Sequence, residues 1–189
     1  MIDRPIVSFA SQRAWEAWLA RHHTTSPGIW LKIAKKASGH RSVTYDEAVE
    51  GALCYGWIDG QKQLCDAAWW LQKFTPRRAK SVWSKINRGK ALRLIKGGRM
   101  QAAGLREVHG AKRDGRWVSA YDSPRNIRVP PDLRAALAKN VKAREFFKEI
   151  SARYRYAILW RIHDAKRPET RAKRIADFVR MLQHHEKPF

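Results

Sequence analysis

The stretch Trp57–Phe74, WIDGQKQLCDAAWWLQKF, decides the fold. Two runs rich in aromatic and β-branched residues, Trp57–Gln63 and Ala68–Phe74, favour neighbouring strands. The first run contains Asp59-Gly60, a dipeptide typical of tight hairpin turns, so this strand could be split there. Pro76 lacks the amide that a strand ladder needs, and the second strand is expected to end before it.

The sequence before this stretch alternates between strand and helix signals. Ser11 can cap a helix over Gln12–His23, in which tryptophans recur at helical spacing on one face. Thr44 and Glu47 form a capping box that opens a second helix, and Gly56 can end that helix. Two further runs of β-prone residues favour short strands: Pro5–Phe9 and Ile29–Ala34.

The sequence after this stretch is dominated by helix signals. Ser81 or Ser84 can cap a helix to Ile95, in which Gly89 costs about 1 kcal/mol relative to alanine. The other predicted helices are Gln101–Arg113 (weakened by Gly104 and Gly110), Asp132–Lys139, Val141–Ile150, Ala152–Ala165 and Pro168–Gln183. The predicted fold class is therefore α+β, with a small mixed α/β part that holds a short sheet at residues 1–80 and an all-helical part at residues 81–189. The two parts are expected to form one compact unit.

Positive charge is concentrated in the second part of the chain. The 189 residues carry a formal net charge of +22. Residues 1–66 hold 8 basic and 7 acidic side chains, whereas residues 67–189 hold 31 basic and 10 acidic ones. Such a field attracts polyanions, including nucleic acid, anionic lipid surfaces and acidic proteins. A solvated basic surface that only maintains solubility is the alternative.

The sequence shows no transmembrane segment and no signal-peptide pattern, so a cytoplasmic location is expected. In that compartment Cys54 and Cys65 are expected to remain reduced. The histidine and cysteine spacings do not match a zinc site, and phosphate-loop and nucleophile-elbow motifs are missing. The sequence therefore assigns no catalytic residue, and we expect neither a metal nor a cofactor.

A basic loop before a predicted helix is the strongest candidate binding site. Free amides and the helix dipole favour an anion at a helix N-terminus, and arginines add bidentate donors for phosphate or carboxylate. The predicted anion-binding residues are Arg77, Arg78, Lys80, Ser81, Ser84 and Lys85. The alternative is a solvated basic loop before a capped helix, with Trp83 in the core.

A small polar pocket could adjoin this loop. Its predicted lining residues are Trp57, Asp59, Gln61, Trp83 and Asn87. Trp83 could stack on a base or another ring. Asp59 could be a turn residue, a partner of Arg77 or Arg78, or a general base.

Five stretches in this order resemble the YdeI/OmpD-associated, or bacteriocin-protection, family of bacterial proteins. They are ALCYGWIDGQ (52–61), WLQKFTPRRAKSVWSKIN (70–87), GRMQAAGL (98–105), DGRWVSAYDSP (114–124) and RYAILWRIHDAKRPETRAKRI (155–175). The resemblance runs from about Phe9 to the C-terminus. It implies a role in tolerance of cationic antimicrobial peptides and a link to the envelope, without implying a reaction or an active site.

These observations predict a non-enzymatic stress-protection protein that binds an anionic ligand or polyanion through residues 77–88. A partner protein linked to the envelope is a further expectation from the resemblance. Two alternatives stay open. One is an enzyme that acts on a phosphorylated or carboxylated small molecule, and the other is a nucleic-acid-binding protein, since basic residues interleaved with aromatic ones suit single strands.

Overall fold

The structure, a computed structural model, describes residues 4–188. Within this range the strands are β1 (Ile6–Ser8), β2 (Ile29–Ala34), β3 (Trp57–Leu64) and β4 (Trp69–Pro76). The helices are α1 (Gln12–His22), α2 (Tyr45–Cys54), α3 (Lys85–Lys96), α4 (Ala102–Arg113), α5 (Pro131–Ala138), α6 (Val141–Glu149), α7 (Ala152–Asp164) and α8 (Pro168–Gln183). The predicted α+β class is confirmed, because the sheet lies in the N-terminal part and helices alone make up the C-terminal part.

The chain divides into two compact units. The first comprises Met1–Trp83 and Asn87–Ser119 and contains the sheet with α1, α2 and α4. The second comprises Ser84–Ile86 and Ala120–Phe189 and contains α5 to α8. The division at residue 80 stays a prediction. Among the described helices, none combines the length and the apolar composition that crossing a membrane requires.

The four strands form one sheet in the order β1-β2-β4-β3, in which only the β1–β2 pair is parallel. Trp15 on α1 packs against the sheet, with its ring centroid 5.6 Å from that of Phe74 and 6.3 Å from that of Trp57. The Trp15 indole also donates to the carbonyl of Ala48 at 3.0 Å. The buried Trp15 side chain therefore contacts both the sheet and α2, and connects α1 to each of them.

The prediction that Asp59-Gly60 could split the first strand is wrong, because β3 runs through both residues. The ladder instead shifts register between Asp59 and Lys62. The buried Gln72 side chain donates to the carbonyls of Gly60 at 2.8 Å and Gln61 at 3.2 Å, which satisfies acceptors at this irregularity. The hairpin turn lies farther along, where Asp66 Oδ1 accepts from the amides of Ala68 and Trp69, both at 2.8 Å.

Gly104 lets α4 approach the C-terminal end of α2 closely. A Cβ atom at this position would lie 2.5 Å from the carbonyl oxygens of both Leu53 and Cys54. The amide of Gln101 donates to the same Cys54 carbonyl at 3.2 Å. Glycine here is therefore a packing requirement, which outweighs its low helix propensity.

Burial of the Cys54 side chain raises the pKa of its thiol to about 11, and both Cys54 and the exposed Cys65 are free thiols.

Alanine substitution should separate Gly104 from Gly89. Gly104→Ala should lower the free energy of unfolding by at least about 2 kcal/mol, because its methyl group meets backbone that cannot move aside cheaply. Gly89→Ala should raise that free energy by about 0.5–1 kcal/mol, because only the far end of Arg93 lies within 4 Å of the new atom. Urea denaturation measures both effects, and a stable Gly104→Ala variant would contradict this account of α4 packing.

Candidate anion-binding surface

Arg77, at the end of β4, is held by contacts with several neighbouring segments. Its backbone amide donates to the carbonyl of Gly56 at 3.0 Å, and its Nη1 donates to the carbonyl of Val82 at 3.3 Å. The guanidinium carbon lies 3.7 Å from the centroid of the Trp83 ring. Arg77 is only 7% exposed and Trp83 only 1%. This pair therefore belongs to the packing of the first unit.

Trp83 is enclosed on a second side by Trp117, whose ring centroid lies 4.9 Å away in an edge-on arrangement. The predicted stacking of a nucleic-acid base on Trp83 would require an open ring face. With the guanidinium of Arg77 on this ring and almost no exposed surface, such stacking does not fit the geometry. The alternative in which Trp83 lies in the core describes the structure.

A polar pocket of about 140 Å³ adjoins Arg77. Its wall includes Trp57, whose indole donates to the carbonyl of His23 at 3.0 Å. Burial raises the pKa of the Tyr55 hydroxyl in this wall, with further contributions from Glu16 and Cys54. The residues that line the pocket are His23, Thr24, Tyr55, Gly56, Trp57, Pro76, Arg77, Ala103, Arg106 and Glu107. Of the predicted residues, it therefore brings together Trp57 and Arg77.

Asp59 lies in a different environment. Its Oδ2 accepts a hydrogen bond from the hydroxyl of Tyr45 at 2.7 Å, so the carboxylate is directed toward the start of α2. Lys62, on the far side of the register shift, places its ammonium 4.3 Å from the Trp70 ring centroid. Gln61 is exposed between these two residues. Asp59 is thus a strand residue bonded to a tyrosine, and it is not among the residues that line the pocket beside Arg77.

Residues 78–81 form a tight turn, which we call the basic turn. The amide of Ser81 donates to the carbonyl of Arg78 at 2.8 Å, and the amide of Arg78 donates to Ser81 Oγ at 2.9 Å. Arg116 Nη1 donates to the carbonyl of Ser81 at 2.8 Å and holds the turn from outside. Arg78 and Lys80 are exposed on this hydrogen-bonded turn.

The predicted helix N-terminus does not follow the basic turn directly, because α3 begins only at Lys85. In the second unit, the amide of Lys85 donates to the carbonyl of Tyr121 at 2.8 Å, and its ammonium pairs with Asp122 at 2.7 Å. Ser84 forms a β-bridge with Tyr121. The amide and the ammonium of Lys85, the first residue of α3, are thus engaged by protein groups, and the anion site at this helix N-terminus stays a prediction. Asn87, also predicted to line the pocket, is half-buried in α3 within the first unit.

Most carboxylates of the first unit are engaged by specific partners. Lys90 pairs with Asp46 at 3.0 Å, and Arg99 pairs with both Glu16 at 2.9 Å and Glu50 at 3.0 Å. The Arg116 guanidinium contacts Asp114 at 2.7 Å and holds the pKa of that carboxyl below its ordinary value. Glu47 is used in the capping box of α2. Few acids are left to neutralise the other cations.

We use the name basic surface for six exposed cations that the basic turn, α3 and α4 contribute to the first unit. They are Arg78, Lys80, Arg93, Lys96, Arg106 and Arg113. None of the six has a carboxylate oxygen of residues 4–188 within 4.0 Å. Two of them, Arg93 and Lys96, share one face of α3 because they are three residues apart. Two of the six, Arg78 and Lys80, belong to the predicted set of anion-binding residues, and the other four lie outside it.

Single alanine substitutions should separate the two adjacent arginines. Arg77→Ala should lower the free energy of unfolding by about 2–4 kcal/mol, because it removes a buried cation–π contact and a hydrogen bond. Arg78→Ala should change that free energy by less than about 0.5 kcal/mol, because the side chain is exposed. Urea denaturation followed by tryptophan fluorescence measures both values. Equal stabilities for the two variants would show that Arg77 is not a packing residue.

Comparison with known families divides the chain into two matched segments. Residues 7–107 match the family described as Domain of unknown function (DUF8412), and this segment holds the sheet, the basic turn and α3. Residues 126–185 match the family described as Bacteriocin-protection, YdeI or OmpD-Associated, and this segment holds α5 to α8. No curated protein and no solved structure matches the chain. The chain therefore belongs to the DUF8412 family, and its resemblance to the YdeI/OmpD-associated bacteriocin-protection family is confirmed over residues 126–185.

Proposed function

We propose that this chain is a bacteriocin-protection-like protein that catalyses no reaction and acts by binding a polyanionic partner through the basic surface. The observation that carries the proposal is the set of six exposed cations without a carboxylate partner among the described residues. A cation that is already paired must lose that partner before it can contact an incoming anion. The six cations of the basic surface do not have this cost.

The form of the basic surface suits a repeating anion better than a single small one. Arg78 and Lys80 project from a hydrogen-bonded turn, and Arg93 and Lys96 project from a helix, so two rigid elements present separate pairs of charges. A polymer or a surface that carries many phosphates can contact several of these cations at once, and its bound counterions are then released. The net charge of +22 adds long-range attraction at low salt.

The two alternative functions are less well supported by these contacts. An enzyme that used Asp59 with the arginines would need them in one pocket, whereas the Asp59 carboxylate is bonded to Tyr45 and Arg77 stacks on Trp83. Base stacking on Trp57 or Trp83 is also disfavoured, because each is 1% exposed. We therefore propose that the partner is recognised by its charge, and that a nucleic acid would be contacted mainly along its phosphates.

Two double variants test the proposal: Arg78→Ala/Lys80→Ala and Arg93→Ala/Lys96→Ala. The probe is a fluorescein-labelled single-stranded oligonucleotide, with binding to the full chain followed by anisotropy at several salt concentrations. Each double variant should bind about tenfold more weakly and lower the slope of log K against log salt by about 1.4, since each phosphate contact contributes about 0.7. A parallel assay with phosphatidylglycerol vesicles shows whether the preferred phosphate source is a polymer or a membrane.

The matched control is Lys36→Ala/Arg41→Ala, which removes the same charge from exposed positions of the near-neutral N-terminal part. It should leave the salt slope within about 0.3 of the wild-type value, because neither side chain belongs to the basic surface. An equal loss in the control would show that net charge alone governs binding. Failure of the wild-type chain to bind either probe at low salt would refute the proposal.

A further inference from the structure

A groove of about 680 Å³ lies between α5 and α8 in the second unit. The two helices run parallel, because the start of α5 is tied to the start of α8 by Asp132 and Arg171, while Asn140 just past α5 donates to Gln183 at the end of α8 at 2.7 Å. From Arg171 to Gln183 the groove is about 18 Å long, at the 1.5 Å rise of a helix. Its floor is formed by apolar side chains: Ala136, Ala172, Ile175, Ala176 and Val179.

The two ends of the groove differ in charge. At the end near the starts of both helices, Arg171 contacts Asp132 through two nitrogens at 2.6 and 3.0 Å, and this pairing holds the pKa of the Asp132 carboxyl below its ordinary value. At the other end lie Lys139 and Arg180. Arg180 contacts Asp177 at 2.7 Å from an exposed position, whereas no described carboxylate lies within 4.0 Å of Lys139. The groove is thus charge-balanced at one end and cationic at the other.

We propose that this groove binds a single-chain anionic amphiphile, a fatty acid of about twelve carbons or more, with its chain along α8 and its carboxylate at Lys139. The inference is independent of the polyanion proposal, because it concerns the other unit and a different ligand. It rests on the juxtaposition of an apolar floor with a cation, Lys139, that has no carboxylate partner among the described residues, at one end.

The shape and the charge of the groove both support this occupant. Its volume falls in the range of small-molecule sites, and such sites combine an apolar lining with a few polar groups that orient the ligand. Chain methylenes would cover Ile175 and Val179, while the carboxylate would receive charge-assisted hydrogen bonds at the Lys139 end. A cationic amphiphile would meet repulsion at that end, and an uncharged one would leave Lys139 without an anion.

The test is isothermal titration of the full chain with dodecanoate below its micelle concentration. Dodecan-1-ol should bind about tenfold more weakly, because it lacks the charge that Lys139 recognises. Hexanoate should bind at least about a hundredfold more weakly, because it has fewer methylenes to bury. Lys139→Ala should weaken dodecanoate binding about fivefold to tenfold while leaving dodecanol binding unchanged.

The decisive variant is Ala176→Trp, which fills the groove from an exposed position of α8 and should abolish dodecanoate binding. The matched control is Ala138→Trp, which adds the same side chain at an exposed position of α5 outside the groove lining and should bind like the wild type. Circular dichroism shows whether both variants keep their helices. Unchanged binding in a folded Ala176→Trp variant, an equal loss in the control, or no binding by the wild type would overturn the proposal.

Discussion

The placement of charged side chains in the first unit depends on one interaction, the stacking of Arg77 on Trp83. It joins the end of β4 to the segment before α3, while the Arg77 amide joins the same point to the end of α2 at Gly56. The chain must therefore leave the sheet at Pro76 and form the turn at 78–81 outside the packed region. The Arg77 side chain is buried by this packing, and as a result the next two cations, Arg78 and Lys80, project into solvent.

The same principle extends to the rest of the first unit, where long-range pairs decide which charges remain available. Arg99 joins Glu16 on α1 with Glu50 on α2, and Lys90 on α3 reaches Asp46 on α2. These pairs link acids of the N-terminal part to α3 and to the segment that follows it. Among residues 4–188, the six cations of the basic surface have no carboxylate partner within 4.0 Å.

Local rules predicted much of the fold, because its elements carry local signals. The capping box at Thr44 and Glu47, the order of the strands and the late helices all appear in the structure, but β4 runs through Pro76 instead of ending before it. The Asp59-Gly60 dipeptide predicts a turn that is not formed, because a buried glutamine from the neighbouring strand donates to the backbone carbonyls there. A contact of this kind is not visible in the local sequence. From the sequence alone, Gly104 only weakens the predicted helix, because its packing role depends on a carbonyl about fifty residues away.

The candidate site was predicted less well than the fold, for a related reason. A run of cations in the sequence indicates where positive charge lies, but it does not indicate which of these side chains are buried or paired. Arg77 and Arg78 are adjacent and carry the same side chain, but Arg77 stacks on Trp83 and donates to the carbonyl of Val82, whereas Arg78 is exposed. The same holds for Lys85, whose contacts with Tyr121 and Asp122 link positions almost forty residues apart.

The most direct test of the account is a map of amide chemical-shift changes in the isotope-labelled full chain as an oligonucleotide is added at low salt. The account predicts changes concentrated at residues 78–81 and at Arg93 and Lys96 on α3, with the indole signals of Trp57 and Trp83 unmoved. Changes centred on the Trp57 and Trp83 indoles, or spread evenly over every lysine and arginine, would contradict it.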